Sequence, residues 1–436
     1  MGIKSLIGKT LCAALAAAVA VTTVGCGNEP QKESTGGGSE TKRVFHNYPV
    51  YNGVDFPLEL WQKPEFKYCP ENDCSDDTYD IKGLWLRNDY DGEESYAFAY
   101  LGTPKGVTEE KKAPAVLLVH GGGGTAYREW VRAWNDRGYI ALAIDTEGHI
   151  PLKSGTVNDG PATLYTKTEY NTPHNENYGD ADRLPVEKTW MYYAVTTAIA
   201  GNSFLHHYSL ADNQKIGICG ISWGGVITSI VSGYDDRFAF SIPIYCTLNN
   251  QGTASNMGSY LNNHQKALVW DDDLGLSAVN TPLLFLAGIN DVNQTADTVT
   301  KTAERCKNAR ISLVKGFLHS HGHALAQNEP FAFADEIVFG KKTMITIDAE
   351  LSDGATKGEL SYTVPEGVAA DRAYIVYTEN TVSEGSATWD YARIAAENGK
   401  LSYDLSSVAP AAKEFYLYIA ADNGMIVSTR IAKAKK

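Results

Sequence analysis

Cys219-Gly220-Ile221-Ser222-Trp223-Gly224-Gly225 decides the reading of this chain. The apolar run 216–219 suits a strand buried on both faces, and 224–232 reads as the helix that follows. A Gly-x-Ser-x-Gly turn between strand and helix is the setting that holds a serine hydroxyl exposed as a nucleophile. The glycines have a steric reason, because so tight a turn leaves no room for neighbouring side chains. The helix N-terminus beneath favours negative charge developing at the serine.

Working outward from Ser222, the run 115–119 is short, apolar and continuous, and it ends in His120-Gly121-Gly122-Gly123-Gly124. A helix is expected over 126–137, with Trp130, Val131 and Trp134 at helical spacing and Gly138 to stop it. A second buried strand follows over 139–144. Strand, helix, strand at this spacing predicts a parallel sheet. The Gly-rich turn lacks the Lys-Ser or Lys-Thr of a phosphate loop. Its main-chain N–H groups suit an acyl oxygen instead, and Gly122, Gly123 and Trp223 are the expected oxyanion donors.

Downstream, helices are expected over 186–205 and 296–307, and strands over 238–244, 282–287 and 310–314. The long polar stretch 150–185, with scattered aromatics, reads as a lid or rim over a site. Asp291, in Gly288-Ile289-Asn290-Asp291, stands on the loop just after a strand, where the acid that orients a histidine belongs. Asp271, Asp272 and Asp273 have no buried strand before them and read as a solvated loop or a weak cation site. The base has to come from His319-Ser320-His321-Gly322-His323. On an extended segment these three histidines would share one face, which raises the question of metal. No carboxylate pattern accompanies them, and no metal is expected. Serine, acid and histidine in that order, with the Gly-rich loop, predict an α/β-hydrolase fold with a mostly parallel sheet. The chemistry is acyl transfer, with no cofactor.

The ends of the chain read differently. Lys4 and Lys9 precede an apolar run over 11–24, which reads as an export signal over 1–25. Its end, Thr23-Val24-Gly25-Cys26, is similar to a bacterial lipobox, with Cys26 the expected lipidation site. Residues 26–43, with Gly36-Gly37-Gly38, read as a flexible tether, placing an exported protein on a bacterial membrane by its lipid. The catalytic domain is expected over 44–340. Short strand candidates then run to the C-terminus, with hairpin signals at Asn398-Gly399 and Asn423-Gly424, and predict an all-β, immunoglobulin-like sandwich over 341–436. Trp389, Tyr391 and Tyr403 are read as core more than as a carbohydrate platform. Cys69 and Cys74 flank a turn-like tetrapeptide, and export permits a local disulfide between them. Cys219, Cys246 and Cys306 read as buried thiols. The chain has 38 Lys and Arg against 52 Asp and Glu, a formal net charge of -14, which argues against nucleic acid as a partner.

Several stretches resemble bacterial acetylxylan esterases, related to the dipeptidyl-peptidase and dienelactone-hydrolase branch of the superfamily. They are Gly220 through Gly225, Asp235-Asp236-Arg237-Phe238, Pro243-Ile244-Tyr245, 120–145, Trp270-Asp271, Gly288 through Asp291, and His321-Gly322-His323 with Phe331-Ala332-Phe333-Ala334-Asp335. The resemblance implies a triad of Ser222, Asp291 and a histidine. It favours His321, since a His-Gly pair is common at this place in relatives, with His319 and His323 as alternatives. It also implies an acetylated poly- or oligosaccharide as substrate. Cys246-Thr247-Leu248 and Asp272-Asp273 depart from the relatives' usual residues, in segments expected to border the substrate pocket. Two other readings share these residues. One is a peptidase of the prolyl-oligopeptidase type, although 45–114 is too short for a propeller. The other is a glycan-binding surface lipoprotein without turnover.

Overall fold

The computed structural model describes residues 54–152, 165–370, 372–381 and 388–435. The signal, Cys26 and the tether lie outside the described residues, as does part of the 150–185 stretch.

The described chain opens with three antiparallel strands, β1 (Phe66–Tyr68), β2 (Asp80–Arg87) and β3 (Tyr96–Thr103). β4 (Ala113–Val119) and β5 (Ile140–Ile144) are buried at every position, as continuous apolar runs in a covered sheet require. A small ribbon of β6 (His149–Pro151) and β7 (Tyr165–Lys167) follows. β8 (Ala211–Ile221), β9 (Phe240–Ile244), β10 (Leu283–Gly288) and β11 (Ala309–Val314) complete a sheet of order β1-β2-β3-β5-β4-β8-β9-β10-β11. From β5 to β11 all neighbours are parallel.

Helices α1 (Arg128–Asn135), α2 (Trp190–His207) and α3 (Trp223–Tyr234) cover the sheet. α2 is joined to the end of α3 by a buried ion pair. The Asp235 carboxylate accepts from Arg237 Nε at 2.7 Å and Nη2 at 2.6 Å, and from Asn202 Nδ2 at 2.9 Å. Removing one partner of such a pair strands a buried charge and typically costs about 3–5 kcal/mol. Asp235 and Arg237 belong to one of the stretches quoted above, and this pairing gives them a structural use.

The expected disulfide is absent. Cys69 and Cys74 are free thiols on either side of a single 3₁₀ turn, Pro70–Asn72. Cys69 Sγ faces Asn72 Oδ1 at 3.5 Å, while Cys74 Sγ turns to Tyr100 Oη at 3.4 Å. Burial pushes the Cys69 thiol up to about 12, so it stays protonated. Cys219, Cys246 and Cys306 are buried thiols.

The C-terminal region is all-β and antiparallel, as expected, with its strands hydrogen-bonded in one continuous order. Its strands are β12 (Thr346–Ile347), β13 (Lys357–Thr363), β14 (Arg372–Thr378), β15 (Asp390–Glu397), β16 (Lys400–Asp404), β17 (Glu414–Ala420), β18 (Ile426–Ser428) and β19 (Ala432–Lys433). β15 makes the order continuous. It pairs with β14 through Ile394 and with β16 from Ala395 onward, so one strand carries the ladder round the bend. Asn398 and Gly399 both take positive φ, 52° and 73°, as a type I′ hairpin needs. Trp389 and Tyr403 are buried, whereas Tyr391 is 53% exposed with Lys315 Nζ 3.7 Å above its ring.

This sheet covers the free edge of the large one. The Ser428 hydroxyl accepts from Leu313 N–H on β11 at 2.9 Å, and Ser312 Oγ donates to the Ile426 carbonyl. Covering β11 removes an edge open to pairing with another chain.

Candidate active site

Six loops meet at the carboxyl ends of the parallel strands, the edge where open α/β sheets bind their ligands. The loop after β8 carries Ser222 at φ 59°, ψ -120°, a conformation that costs a non-glycine residue about 1–3 kcal/mol. The flanking glycines are obligatory here. A Cβ on Gly220 would lie 2.1 Å from the Gly224 carbonyl oxygen, and one on Gly224 would lie 2.1 Å from that of Val119. The Ser222 N–H donates to the Ile244 carbonyl at 2.9 Å, which fastens the turn to β9.

Ser222 Oγ stands 2.7 Å from His319 Nε2, and His319 Nδ1 stands 2.6 Å from Asp291 Oδ2. The Asp291 side chain is 1% exposed and that of His319 22%. With the carboxylate accepting a hydrogen bond from Nδ1–H, Nε2 is left with a lone pair facing the hydroxyl. Such a chain can deprotonate the serine and return the proton to a leaving group. Tyr245, at φ 70°, lays its ring on the His319 imidazole, with centroids 4.4 Å apart. Its hydroxyl donates to the Leu318 carbonyl at 2.6 Å, so one side chain supports both the ring and the backbone beside it.

His321 is not the histidine at Ser222. The run 319–323 is not extended, because α4 (His321–Leu325) begins inside it, and the three imidazoles diverge. His321 Nε2 accepts the Gly121 N–H at 3.0 Å, and its ring lies against Tyr127 with centroids 4.6 Å apart. Burial, with smaller contributions from His120 and His319, lowers its pKa to about 3 and keeps it neutral. His323 pairs through Nδ1 with Ser320 Oγ at 2.7 Å. Among the described residues, no group of three or more His, Cys, Asp or Glu could hold a metal ion.

The Gly-rich loop divides its N–H groups. Gly121 donates to His321, and Gly124 donates to the Gly121 carbonyl at 3.0 Å. Gly123 donates to both Glu147 oxygens at 3.1 Å and does not aim at Ser222, contrary to the expectation for it. Burial raises the Glu147 pKa. The N–H groups of Gly122 and Trp223 have no acceptor among the described residues; Trp223 follows Ser222 directly, and Gly122 belongs to the loop beside it. A Cβ on Gly121 would lie 3.0 Å from Ser222 Cβ, so the loop passes directly against the serine.

Asp271 and Asp273 are buried, not solvated. Asp271 accepts from the N–H groups of Asn250 and Gln251 at 2.9 and 2.8 Å, and Asp273 pairs with Arg305 at 2.6 Å. They staple the segment between β9 and β10. Sequence reasoning missed Glu147 and Tyr245 as parts of the site. Each acts across the fold, on groups distant in the chain.

Residues 98–337 match the model of the dienelactone hydrolase family, more than half of the chain. The chain belongs to the dienelactone hydrolase family. It is a hydrolase on the α/β-hydrolase fold, with an antiparallel sheet added at the C-terminus. No curated protein matches it. Among solved structures it is similar to an acetyl xylan esterase from Paenibacillus sp. R4, at 16% identity and a TM-score of 0.48 over 63% of this chain and 90% of that one. It is also similar to acetyl xylan esterase 1 from Thermoanaerobacterium sp. JW/SL YS485, at 14% identity and a TM-score of 0.46 over 67% and 99%. An acylaminoacyl peptidase from Pyrococcus horikoshii aligns at 18% identity and a TM-score of 0.42 over 61% and 42%.

Proposed function

We propose that this family member is a serine carboxylic-ester hydrolase that removes acetyl groups from a polysaccharide such as xylan. The observation that carries the reading is the hydrogen-bonded run from Ser222 Oγ through His319 to Asp291. His319 Nε2 takes the Ser222 proton as Oγ attacks the ester carbonyl. The Gly122 and Trp223 N–H groups receive the developing oxyanion, and losing one such donor typically costs about 10²–10³ in rate. His319 then protonates the leaving alkoxide. Water, deprotonated by the same imidazole, releases the acyl group. Asp291 holds the tautomer throughout.

The acetylated-glycan part of the reading rests on the acetylxylan-esterase-like stretches of the sequence. The export signal, the Cys26 lipid and a bacterial membrane location belong to the same reading. They are supported by Lys4, Lys9, the apolar run 11–24 and Thr23-Val24-Gly25-Cys26.

The test is hydrolysis of p-nitrophenyl acetate by the purified protein beside Ser222→Ala. The expected result is clear turnover by the parent and a loss of about 10⁴ or more in the variant. A parent inert on the ester but active on an aminoacyl-p-nitroanilide makes it a peptidase. A parent inert on both leaves the glycan-binding alternative.

A further inference from the structure

Each main-chain N–H shares a planar peptide with the carbonyl of the residue before it. In a trans peptide the two point in opposite directions, so whatever holds the carbonyl also aims the N–H. The two oxyanion donors differ in this respect. The Trp223 N–H shares its peptide with the Ser222 carbonyl, which accepts from the Gly225 and Val226 N–H groups at 2.8 and 3.1 Å, in the first turn of α3. Main chain holds that peptide. The Gly122 N–H shares its peptide with the Gly121 carbonyl. This oxygen accepts from the Gly124 N–H at 3.0 Å, and it stands 2.7 Å from His120 Nδ1, on a side chain the ester mechanism does not use.

The partners of His120 say which nitrogen carries hydrogen. A carbonyl can only accept, so Nδ1 is protonated. The Thr146 N–H can only donate, and it meets Nε2 at 3.0 Å, which leaves Nε2 its lone pair. Asp145 Oδ1, 3.4 Å from Nε2, would receive a second proton there, and the Nδ1 bond survives in either state. The ring is buried. The last glycine of the loop admits it, because a Cβ on Gly124 would lie 2.9 Å from His120 Nδ1 and 2.8 Å from the Gly121 oxygen.

We propose that His120 is a positioning residue for the ester hydrolysis. Its Nδ1–H fixes the Gly121 carbonyl and thereby aims the Gly122 N–H at the developing oxyanion. On the ester-hydrolase reading, on which this rests, one half of the oxyanion hole depends on a side chain and the other half on the start of α3.

His120→Leu removes the donor. His120→Asn keeps an N–H donor near the place of Nδ1, and His120→Gln moves it towards that of Nε2. The measurements, on the full chain, are kcat and KM for p-nitrophenyl acetate and the inhibition constant of an alkyl trifluoromethyl ketone, which forms a tetrahedral oxyanion on a catalytic serine. His120→Leu is expected to lose about 10²-fold in kcat with KM within about twofold of the parent. Ketone inhibition is expected to weaken by a similar factor, because the ketone draws on the same donor as the transition state. His120→Asn is expected to recover most of both losses. If thermal unfolding shows that His120→Leu does not fold, His120→Asn is expected to exceed His120→Gln by about tenfold in kcat. An unchanged kcat in a folded His120→Leu, a kcat loss with ketone inhibition kept, or equal losses in the compared variants overturns the positioning role, while the parent's turnover keeps the esterase reading. A parent inert on the ester overturns the esterase reading, and the role of His120 falls with it.

Discussion

The loop after β8 and the loop after β11 bring the serine and its base together, yet they hold them by different means. At Ser222 the constraint is local. Gly220 and Gly224 let main chain pass main chain at distances no Cβ allows, and the serine is exposed as a consequence. At His319 the constraint comes from elsewhere: Asp291 on the loop after β10, and Tyr245 on the loop after β9. A turn built from its own neighbours is written in consecutive residues. A side chain held by two other loops is not. Two residues further on, His321 has the same chemistry and the opposite employment, as a neutral acceptor that pins Gly121.

Exchanging the two histidines' fates gives the largest expected effect. His319→Ala removes the base at Ser222 and is expected to lower kcat on p-nitrophenyl acetate by about 10⁴ or more. His321→Ala loosens the loop that carries Gly122 and is expected to cost about 10–100-fold, the scale of a misplaced catalytic group. A larger loss at His321 than at His319 would reverse the roles given to them.

The second contrast concerns backbone. Gly224→Ala puts a methyl 2.1 Å from the Val119 carbonyl and 2.6 Å from that of His120, both of them main chain. It is expected to cost about 3 kcal/mol or more in urea unfolding. Gly316, on the other loop, has a positive φ of 77° and nothing within 4 Å, so Gly316→Ala is expected to cost only about 1 kcal/mol. Similar costs at the two glycines would mean that the elbow is looser than its contacts show.

This contrast also explains what was legible in the sequence. The sheet was legible because continuous apolar runs such as 115–119 and 216–219 have few other uses in a chain of this composition. Ser222 was legible through its glycines. Asp291 was legible through its place after β10. His321 was chosen over His319 on an adjacent glycine, but the start of α4 decides where each imidazole points, and a five-residue helix leaves little periodic trace. The pairing of Gly123 with Glu147 depends on loops 24 residues apart. The C-terminal strands were legible one by one, whereas a strand such as β15 that divides its partners between two neighbours leaves no mark in a period-two pattern.

A last contrast isolates His321 without touching Ser222. Its pKa in the fold is about 3, lowered chiefly by burial, while an imidazole in the unfolded chain titrates near about 6.5. Between those values the unfolded chain binds a proton that the folded chain refuses. The His321 contribution to stability is therefore complete above about pH 6.5 and is lost progressively as the pH falls towards 3, with a slope of at most about 1.4 kcal/mol per pH unit. His206, lowered by burial to about 4, acts with the same sign. His321→Gln offers Gly121 an uncharged acceptor that does not titrate. Thermal unfolding between pH 6.5 and 4.5 is expected to show a shallower fall in Tm for this variant than for the parent, with the His206 part of the slope remaining. Parallel curves would mean that His321 takes up its proton in the fold. The Gly121 N–H would then have lost its acceptor, and the division of labour between the two histidines would need another basis.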